Sequence, residues 1–452
     1  MKLNILLINP WIYDFAAFNL WSRPLGILKV AEYLSSFDTK LLFIDCTDSG
    51  EIKKYGTGKY RSEAVEKGAL LKDVPREYKR YGIRVDEFVD RIKDVMPVDL
   101  VFMTSGMSYW YPGVQKAIEI VRDILGDVPI ILGGTYPTLY PEHASASSGA
   151  DFIYHGTLNE SINFAVNTFG FRLKMKRKPL PYYELNLYQT YPFAPVLTST
   201  GCPFRCSYCA SMLLADTYRR RPPELVVEEV GDLLAKGVRD FAFYDDALLV
   251  DSEHHIKPIL RITALHCPGA RFHTPNGLHA RFIDQELARL MKNSNFRNIR
   301  LGLETIDSGR QKTTGNKVSN QEMEMAVAYL KKENFSKKEI GVYLMYGLPG
   351  QQWEEVKDGV SFLKSLGVSI YLTEFSPIRG TRSWSELIGK GVIHDNLDPL
   401  LTNNTVFSYL YSGYDPKDVK SMKLEVKKYN ADIQREQREM HGLSDSYFLE
   451  KD

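Results

Sequence analysis

The chain has 452 residues, a length that suggests two or three domains. Hydrophobic residues make up 44% of it and the net charge is +1, so the global charge indicates neither a nucleic-acid nor a membrane partner. The five cysteines do not resemble a disulfide framework, and the sequence shows neither a signal-peptide cleavage pattern nor an apolar run of membrane-spanning length. We therefore expect a soluble, cytoplasmic protein.

The first 165 residues alternate between short apolar runs and helical patterns. We predict strands at Leu3–Ile8, Lys40–Ile44, Asp99–Met103, Pro129–Leu132 and Phe152–Tyr154. We predict helices at Gly26–Leu34, Asp86–Asp94 and Tyr111–Ile124. This alternation predicts an α/β, Rossmann-like doubly wound domain, in which ligands bind at the carboxyl ends of the parallel strands.

The residues that follow these strands are suited to a ligand. They are Asn9-Pro10-Trp11, Asp45-Cys46, Thr104-Ser105-Gly106, Gly133-Gly134-Thr135 and His155-Gly156. The glycine pair allows a close backbone approach that a Cβ atom would block. The long connection from Ser49 to Tyr81 is either a cap or substrate contact for the active site, or a solvated helical excursion.

Arg172 to Tyr191 is basic, then rich in proline and tyrosine, as in an extended linker, which we place at residues 166–193. Strand and helix patterns then alternate six times. The predicted strands are Ala194–Thr200, Asp240–Tyr244, Arg271–Thr274, Asn298–Leu303, Ile340–Tyr346 and Ser369–Phe375. The predicted helices are Glu224–Lys236, His254–Leu265, Asp284–Lys292, Gln321–Lys332, Gln352–Ser365 and Trp384–Gly389. Six such units predict a partial (β/α)6 barrel of the TIM type, with its chemistry at the carboxyl ends of the strands.

Three cysteines, Cys202, Cys206 and Cys209, follow the first barrel strand at C-x3-C-x2-C spacing. Three thiolates can hold a four-iron cluster and leave one iron open to a small chelating molecule. A zinc site is the alternative, but zinc would require a fourth ligand, and the next downstream candidates (His254, His255 and Cys267) are distant in sequence.

The cysteine spacing, with Tyr208 before the last cysteine, resembles the signature of the radical S-adenosylmethionine (SAM) enzymes. The resemblance implies a 4Fe–4S cluster on the three cysteines, SAM on the open iron, and an electron donor such as flavodoxin or ferredoxin. It also implies a set of SAM-binding residues at the strand ends: Tyr208, Asp245, Asp246, Glu304, Gly347 and Leu348. The family often has Gly-Gly-Glu where this chain has Tyr244-Asp245-Asp246, and those aspartates can equally cap a helix or turn.

Several other polar side chains allow two interpretations. Glu304 can instead cap a turn or pair with an arginine. His273 and His279 can face the cavity of the barrel or fill structural positions. The run Arg219-Arg220-Arg221 can bind an anion at one or two positions or be a solvated charge run.

The first 165 residues resemble the cobalamin-binding domain that precedes many radical SAM domains. The residues that carry this resemblance are Asn9-Pro10, Pro24-Leu25-Gly26, Ser108 to Gly113, Gly133-Gly134, Pro137-Thr138 and Pro141-Glu142-His143. It implies cobalamin bound base-off, without a histidine ligand, because the Asp-x-His-x-x-Gly motif is absent. The implied cobalamin contacts are Asn9, Pro10, Ser105, Gly106, Tyr109, Trp110, Gly133, Gly134, Thr135 and Gly156. A plain Rossmann-like accessory domain is the alternative, and the aromatic residues can equally be core.

We therefore predict four segments: a cobalamin-binding domain (1–165), a linker (166–193), a radical SAM partial barrel (194–385) and a helical C-terminal region (386–452). The predicted function is a cobalamin-dependent radical SAM methyltransferase acting on an unactivated carbon, through a 5′-deoxyadenosyl radical and methylcobalamin. The substrate is a small molecule, peptide or protein that the sequence does not identify. A radical SAM cyclase or rearrangement enzyme and a non-catalytic corrinoid or iron–sulfur protein are the alternatives. A transfer-RNA methylthiotransferase fits poorly, because only Cys46 lies in the first domain, where that family carries three further cluster cysteines.

Overall fold

The computed structural model describes residues 2–48, 57–154, 158–180, 183–190, 192–215 and 217–440. The chain forms two compact units. The first comprises Met1–Pro195, Ile378–Gly380 and Ile393–Val406, and the second Val196–Pro377, Thr381–Val392 and Phe407–Asp452. The four predicted segments are a different partition of the chain and stay a prediction. No helix in the described ranges has the length and apolar character needed to cross a bilayer.

The first unit is built on strands and helices close to the predicted ones. Its strands are β1 (Leu3–Asn9), β2 (Ile12–Asp14), β3 (Phe18–Leu20), β4 (Thr39–Asp45), β5 (Thr57–Lys59), β6 (Ser62–Ala64), β7 (Lys79–Tyr81), β8 (Leu100–Met103), β9 (Ile130–Leu132) and β10 (Phe152–Ile153). Its helices are α1 (Leu25–Ser35), α2 (Val85–Asp94), α3 (Tyr111–Leu125), α4 (Thr135–Leu139), α5 (Pro141–Ser147) and α6 (Leu158–Thr168). Helices α4 to α6 were missed by sequence analysis; α4 and α5, with 5 and 7 residues, are too short for a helical pattern to recur.

The main sheet of this unit is parallel, in the order β10-β9-β8-β1-β4. This is the flavodoxin-like order, whose direction reverses between β1 and β8, and ligands bind at such a switch point. Ile5 and Leu7 of β1 are fully buried in a core that also contains residues of α1 and α6. The predicted doubly wound α/β fold is confirmed.

Of the two interpretations of the long connection after β4, the solvated helical excursion does not fit its described part. Its described part contains β5, β6, β7 and one 3-10 turn, Ala69–Leu71. Strand β5 pairs antiparallel with β3, and β7 pairs antiparallel with both β2 and β6. Residues 49–56 of this connection lie outside the described ranges.

The second unit contains the six-stranded sheet predicted for the barrel. Its strands are β11 (Phe193–Val196), β12 (Ser199–Thr200), β13 (Arg219–Arg220), β14 (Asp240–Phe243), β15 (Arg271–His273), β16 (Phe296–Glu304), β17 (Ile340–Tyr346) and β18 (Ser369–Glu374). Its helices are α7 (Ser211–Leu214), α8 (Pro223–Ala235), α9 (Ile256–His266), α10 (Gln285–Asn293), α11 (Ser308–Thr313), α12 (Asn320–Lys332), α13 (Trp353–Ser365), α14 (Arg382–Gly389) and α16 (Pro416–Met440). Helix α15 (Asn404–Tyr411) begins in residues of the first unit and ends in residues of the second.

The sheet order is β11-β14-β15-β16-β17-β18, and the strand pairs from β14 to β18 are parallel. Strands β11 and β18 are its two edges among the described residues, so the barrel is open, as predicted. The first predicted strand is interrupted: β11 ends at Val196, and Ser199–Thr200 turns away to pair antiparallel with Arg219–Arg220. This interruption starts the cysteine loop.

Candidate functional site

The cysteine loop lies at the carboxyl end of β11 in the second unit. Its three cysteines are free thiols, with Cys209 exposed and Cys202 and Cys206 half-buried. Burial raises the pKa of Cys202 to about 11, and the neighbouring Cys206, Cys209 and Asp246 add to the shift. Thiols in such surroundings ionise when a metal binds them, because the metal supplies the positive charge that stabilises the thiolate.

Two glycines let the loop take its shape. Gly201 has φ 74°, and a Cβ atom there would come within 2.7 Å of the Thr217 carbonyl oxygen. Gly315 has φ 132°, and a Cβ atom there would come within 3.0 Å of the Cys206 sulfur. The Ser207 amide donates to the Thr314 carbonyl at 3.0 Å, and the Ser383 amide donates to the Ser207 carbonyl at 2.8 Å. The loop is thus held from two sides by segments distant in sequence.

A buried ion pair lies beside the cysteines. Glu304 and Lys317 approach within 2.6 Å, and their side chains are only 12% and 14% exposed. Although burial opposes it, the charges of Glu304 and Cys206 raise the pKa of Lys317. Glu304 also has φ 66°, a left-handed backbone conformation that is uncommon for any residue except glycine and is found mainly at functional sites. Lys317 was missed by sequence analysis; the one available signal was a lysine in the Gly315-Asn316 turn after Glu304.

The two predicted aspartates differ in their surroundings. Asp245 is buried and accepts hydrogen bonds from the hydroxyl of Thr198 at 2.7 Å and the hydroxyl of Ser199 at 2.6 Å, as well as from both backbone amides. Burial raises its pKa despite these bonds. Its carboxylate therefore holds the interrupted end of the first barrel strand, and its role as a SAM contact stays a prediction. Asp246 is exposed, and its charge acts on Cys202.

The turn after β17 contains the predicted Gly347 and Leu348. Gly347 has φ 89°, and the Leu348 amide donates to the side-chain oxygen of Gln351 at 3.2 Å. The Arg310 guanidinium donates to the carbonyls of Pro349 at 2.9 Å and Gly350 at 3.1 Å while it pairs with Glu355 at 3.0 Å. Arg310 thereby fixes this turn, a role that no sequence motif indicated.

The histidines and arginines left open by sequence analysis have structural partners. His273 is buried between Asp240 at 2.8 Å and Asn298 at 3.1 Å. His279 stacks on Phe204 of the cysteine loop, with ring centroids 4.7 Å apart, and burial lowers its pKa to about 3. The arginine run does not converge on one point. Arg219 donates to Thr217, Arg220 pairs with Asp251, and Arg221 pairs with Glu229.

A second candidate site is a cavity of about 500 Å3 in the first unit, a size typical of ligand pockets. It lies at the switch point, where β1 and β8 end. Of the predicted cobalamin contacts, those that line it are Asn9, Pro10, Ser105, Gly106, Tyr109, Trp110, Gly134 and Thr135. Gly133 does not line it, and Gly156 lies outside the described residues.

Glycines shape one wall of this cavity. Gly134 has φ 102°, and a Cβ atom there would come within 2.3 Å of the Ser105 carbonyl oxygen. At Gly106 a Cβ atom would come within 2.9 Å of the Trp110 ring. The Ser105 hydroxyl is buried with no hydrogen-bond partner in the described structure, which fits a site whose ligand supplies one. The donor set and the close backbone approach are thus compatible with cobalamin.

The class of protein follows from the second unit. Residues 196–363 match the sequence family described as the Radical SAM superfamily. The chain therefore contains a radical SAM domain, as predicted. Such a domain implies a 4Fe–4S cluster and SAM.

Known proteins share more of the chain. An uncharacterized methyltransferase of Pyrococcus horikoshii is 26% identical over 345 residues, which cover 67% of this chain and 74% of that protein. The radical SAM methyltransferase TsrM of Kitasatospora setae, solved with cobalamin and a 4Fe–4S cluster, has a TM-score of 0.63 at 16% identity, covering 86% of this chain and 78% of that one. The cobalamin-dependent radical SAM enzyme OxsB has a TM-score of 0.62 at 11% identity, covering 98% of this chain and 75% of that one. These likenesses show a common fold.

Proposed function

We propose that the protein is a cobalamin-dependent radical SAM methyltransferase that acts on an unactivated carbon. The observation that carries the proposal is the presence, in one chain, of the cysteine loop and of a cavity at the switch point of the first unit. When bound, the cluster and SAM supply a 5′-deoxyadenosyl radical, and cobalamin supplies the methyl group. The cobalamin is base-off, with no histidine ligand.

The proposal gives separate roles to the residues of the second unit. Cys202, Cys206 and Cys209 bind the cluster. Lys317 takes the carboxylate of SAM, because it is a buried cation between Glu304 and the cysteine loop, and Asp246 accepts from the SAM ammonium group. Tyr208, Glu304 and the Gly347-Leu348 turn complete the SAM site.

In the first unit, the residues that line the cavity bind cobalamin. Gly134 lets the backbone pack closely against Ser105 in the cavity wall, and Ser105 supplies a hydroxyl to the ligand. Flavodoxin or ferredoxin supplies the electron, and the substrate is a small molecule, peptide or protein.

The test is anaerobic reconstitution of the full chain with iron, sulfide and hydroxocobalamin, then addition of SAM and a low-potential chemical reductant that supplies the electron, followed by mass spectrometry of the SAM products. We expect a visible spectrum containing both cluster and corrinoid bands, 5′-deoxyadenosine, and S-adenosylhomocysteine once a substrate is found. Replacement of all three cluster cysteines by alanine should abolish 5′-deoxyadenosine while leaving corrinoid binding intact. Continued SAM cleavage in that variant would contradict the site assignment. Formation of 5′-deoxyadenosine without any methylated product, across substrates that are consumed, would favour a rearrangement or cyclisation.

A further inference from the structure

One residue of the cavity in the first unit comes from a distant part of the sequence. All the other lining residues lie between Asn9 and Thr135, but Asn404 belongs to Ile393–Val406, which we name the return segment. We propose that the return segment completes the ligand cavity: Asn404 supplies a polar wall group, and Asn403 fixes the Trp110 wall through Asp14. The inference rests on the proposed function, because cobalamin is the ligand used to test it.

A single buried carboxylate joins the return segment to the cavity wall. Asp14 is 4% exposed; it accepts a hydrogen bond from the Trp110 indole at 2.7 Å on one oxygen and from the Asn403 side-chain amide at 2.9 Å on the other. Among the described residues Asp14 has no ion-pair partner, and burial raises its pKa. Because no cation balances this carboxylate, each neutral donor on it matters, and loss of the Asn403 donor would loosen the bond to Trp110.

The Trp110 ring has little freedom once Asp14 holds it. It packs so closely on Gly106 that a Cβ atom there would lie 2.9 Å away, and it meets Tyr109 edge to face at 6.1 Å. Trp110, Gly106, Tyr109 and Asp14 all line the cavity. The position of the indole therefore sets the shape of that wall.

Further bonds hold the return segment in place. The Tyr111 hydroxyl donates to Asp398 at 3.2 Å, and the Arg76 guanidinium donates to the Thr405 hydroxyl at 2.8 Å. The side-chain oxygen of Asn403 accepts a hydrogen bond from the Thr405 backbone amide at 2.9 Å, and its side-chain nitrogen donates to Asp14. Asn403 is 1% exposed, and both polar atoms of its side chain are therefore engaged. These anchors place Asn404, which starts α15, on the wall of the cavity.

The wall chemistry suits an amide-bearing macrocycle. The Asn404 side-chain oxygen accepts the Thr405 backbone amide at 2.9 Å, which fixes the orientation of the side chain. Its amide nitrogen can then donate to the oxygen of a peripheral carboxamide of a corrin ring. The return segment thus acts on the ligand in two ways: Asn404 is a binding residue, and Asn403 is a positioning residue that acts through Asp14.

The test uses the full chain and hydroxocobalamin. In Asn403→Ser the side chain keeps an oxygen for the Thr405 amide but no longer reaches Asp14. Asn404→Ala removes the wall amide together with the bond that its oxygen accepts from the Thr405 backbone amide at 2.9 Å, while Asn403 still accepts from that same amide. We expect each variant to raise the dissociation constant for hydroxocobalamin about tenfold in a visible-absorption titration, the equivalent of one lost hydrogen bond. Asn403→Ser should also shift the emission maximum of the apo protein, because the surroundings of the Trp110 indole change, whereas Asn404→Ala should not.

Asn396→Ser is the matched control, since Asn396 lies exposed in the same segment. It should bind hydroxocobalamin with the wild-type dissociation constant. Wild-type affinity in both Asn403→Ser and Asn404→Ala would overturn the inference while leaving the proposed cobalamin site intact. Failure of the wild-type chain to bind hydroxocobalamin at all would overturn the proposed function and this inference together.

Discussion

The ion pair between Glu304 and Lys317 allows a quantitative test of the site in the second unit. Its atoms are 2.6 Å apart and both side chains are largely buried. Lys317→Met removes the cation and leaves the Glu304 carboxylate without its partner. Glu304→Gln removes the anion and leaves the Lys317 ammonium group without its partner. Removing one member of a buried pair costs about 3–5 kcal/mol, because the remaining charge has lost both water and its partner.

The double variant Lys317→Met/Glu304→Gln leaves no charge behind. We expect it to be more stable than Lys317→Met alone by about 2 kcal/mol, so that the two substitutions are strongly non-additive. The assay is urea unfolding of the four proteins without cluster, kept anaerobic so that the cysteines stay reduced.

Activity should behave differently from stability. All three variants should lose most of the SAM cleavage measured as 5′-deoxyadenosine, because Lys317 and Glu304 are proposed to bind SAM as well as each other. Additive unfolding energies would refute the buried-pair reasoning. If the double variant recovered both stability and SAM cleavage, the ion pair would have a structural role only, and the proposed SAM contacts of Lys317 and Glu304 would be wrong.

Two further predictions concern the first unit and the second sheet. Gly134→Ala should destabilise the first unit by about 2–4 kcal/mol and abolish hydroxocobalamin binding, because Gly134 has φ 102° and the added Cβ atom would meet the Ser105 backbone. Gly126→Ala is the control, because Gly126 also has a positive φ (64°) but has open space around it. Thermal unfolding measures the loss of stability, and an equal loss of stability in Gly134→Ala and Gly126→Ala would contradict the prediction. Asp240→Asn should lower stability at pH 7 by about 1–3 kcal/mol, and the difference from wild type should vanish as the pH falls. Although burial opposes the shift, hydrogen bonds from His273 and Arg271 lower the pKa of Asp240 in the folded protein. The stabilisation from this carboxylate is therefore fully present above the pKa of an unfolded aspartate, and it is lost as the pH falls through the lower pKa of the folded state. Urea unfolding from pH 3 to pH 7 measures the free energy of unfolding of wild type and Asp240→Asn, with Asp358→Asn as the control, because Asp358 is exposed. A stability difference between wild type and Asp240→Asn that grows at low pH would contradict this prediction.

Sequence alone predicted most of the regular structure. Strand β17 (Ile340–Tyr346) was predicted with its observed bounds, and β1 and β4 to within one residue at each end. Buried parallel strands are continuous apolar runs, so their positions can be predicted from neighbouring residues alone. The same holds for the cysteine loop, because its three thiols are separated by only a few residues.

Contacts between distant residues could not be predicted in this way. Asp245 is predicted at the SAM site, but its hydrogen bonds to Thr198 and Ser199 could not be predicted, because only the packing of distant segments brings these side chains together. The charge of Lys317 acts on the Cys206 thiol only because α11 and the turn after it fold back onto the cysteine loop. No periodicity records such an approach.

The amino-acid sequence by itself determined the two α/β sheets, the radical SAM loop and the glycines of the strand ends, because periodicity and spacing are properties of neighbouring residues. Only the tertiary structure decided that Asn404 would share a cavity with Asn9, and that Glu304 would pair with a buried lysine. The physical reason is that such contacts are set by how whole elements pack, which depends on the complete fold and not on any local stretch of residues.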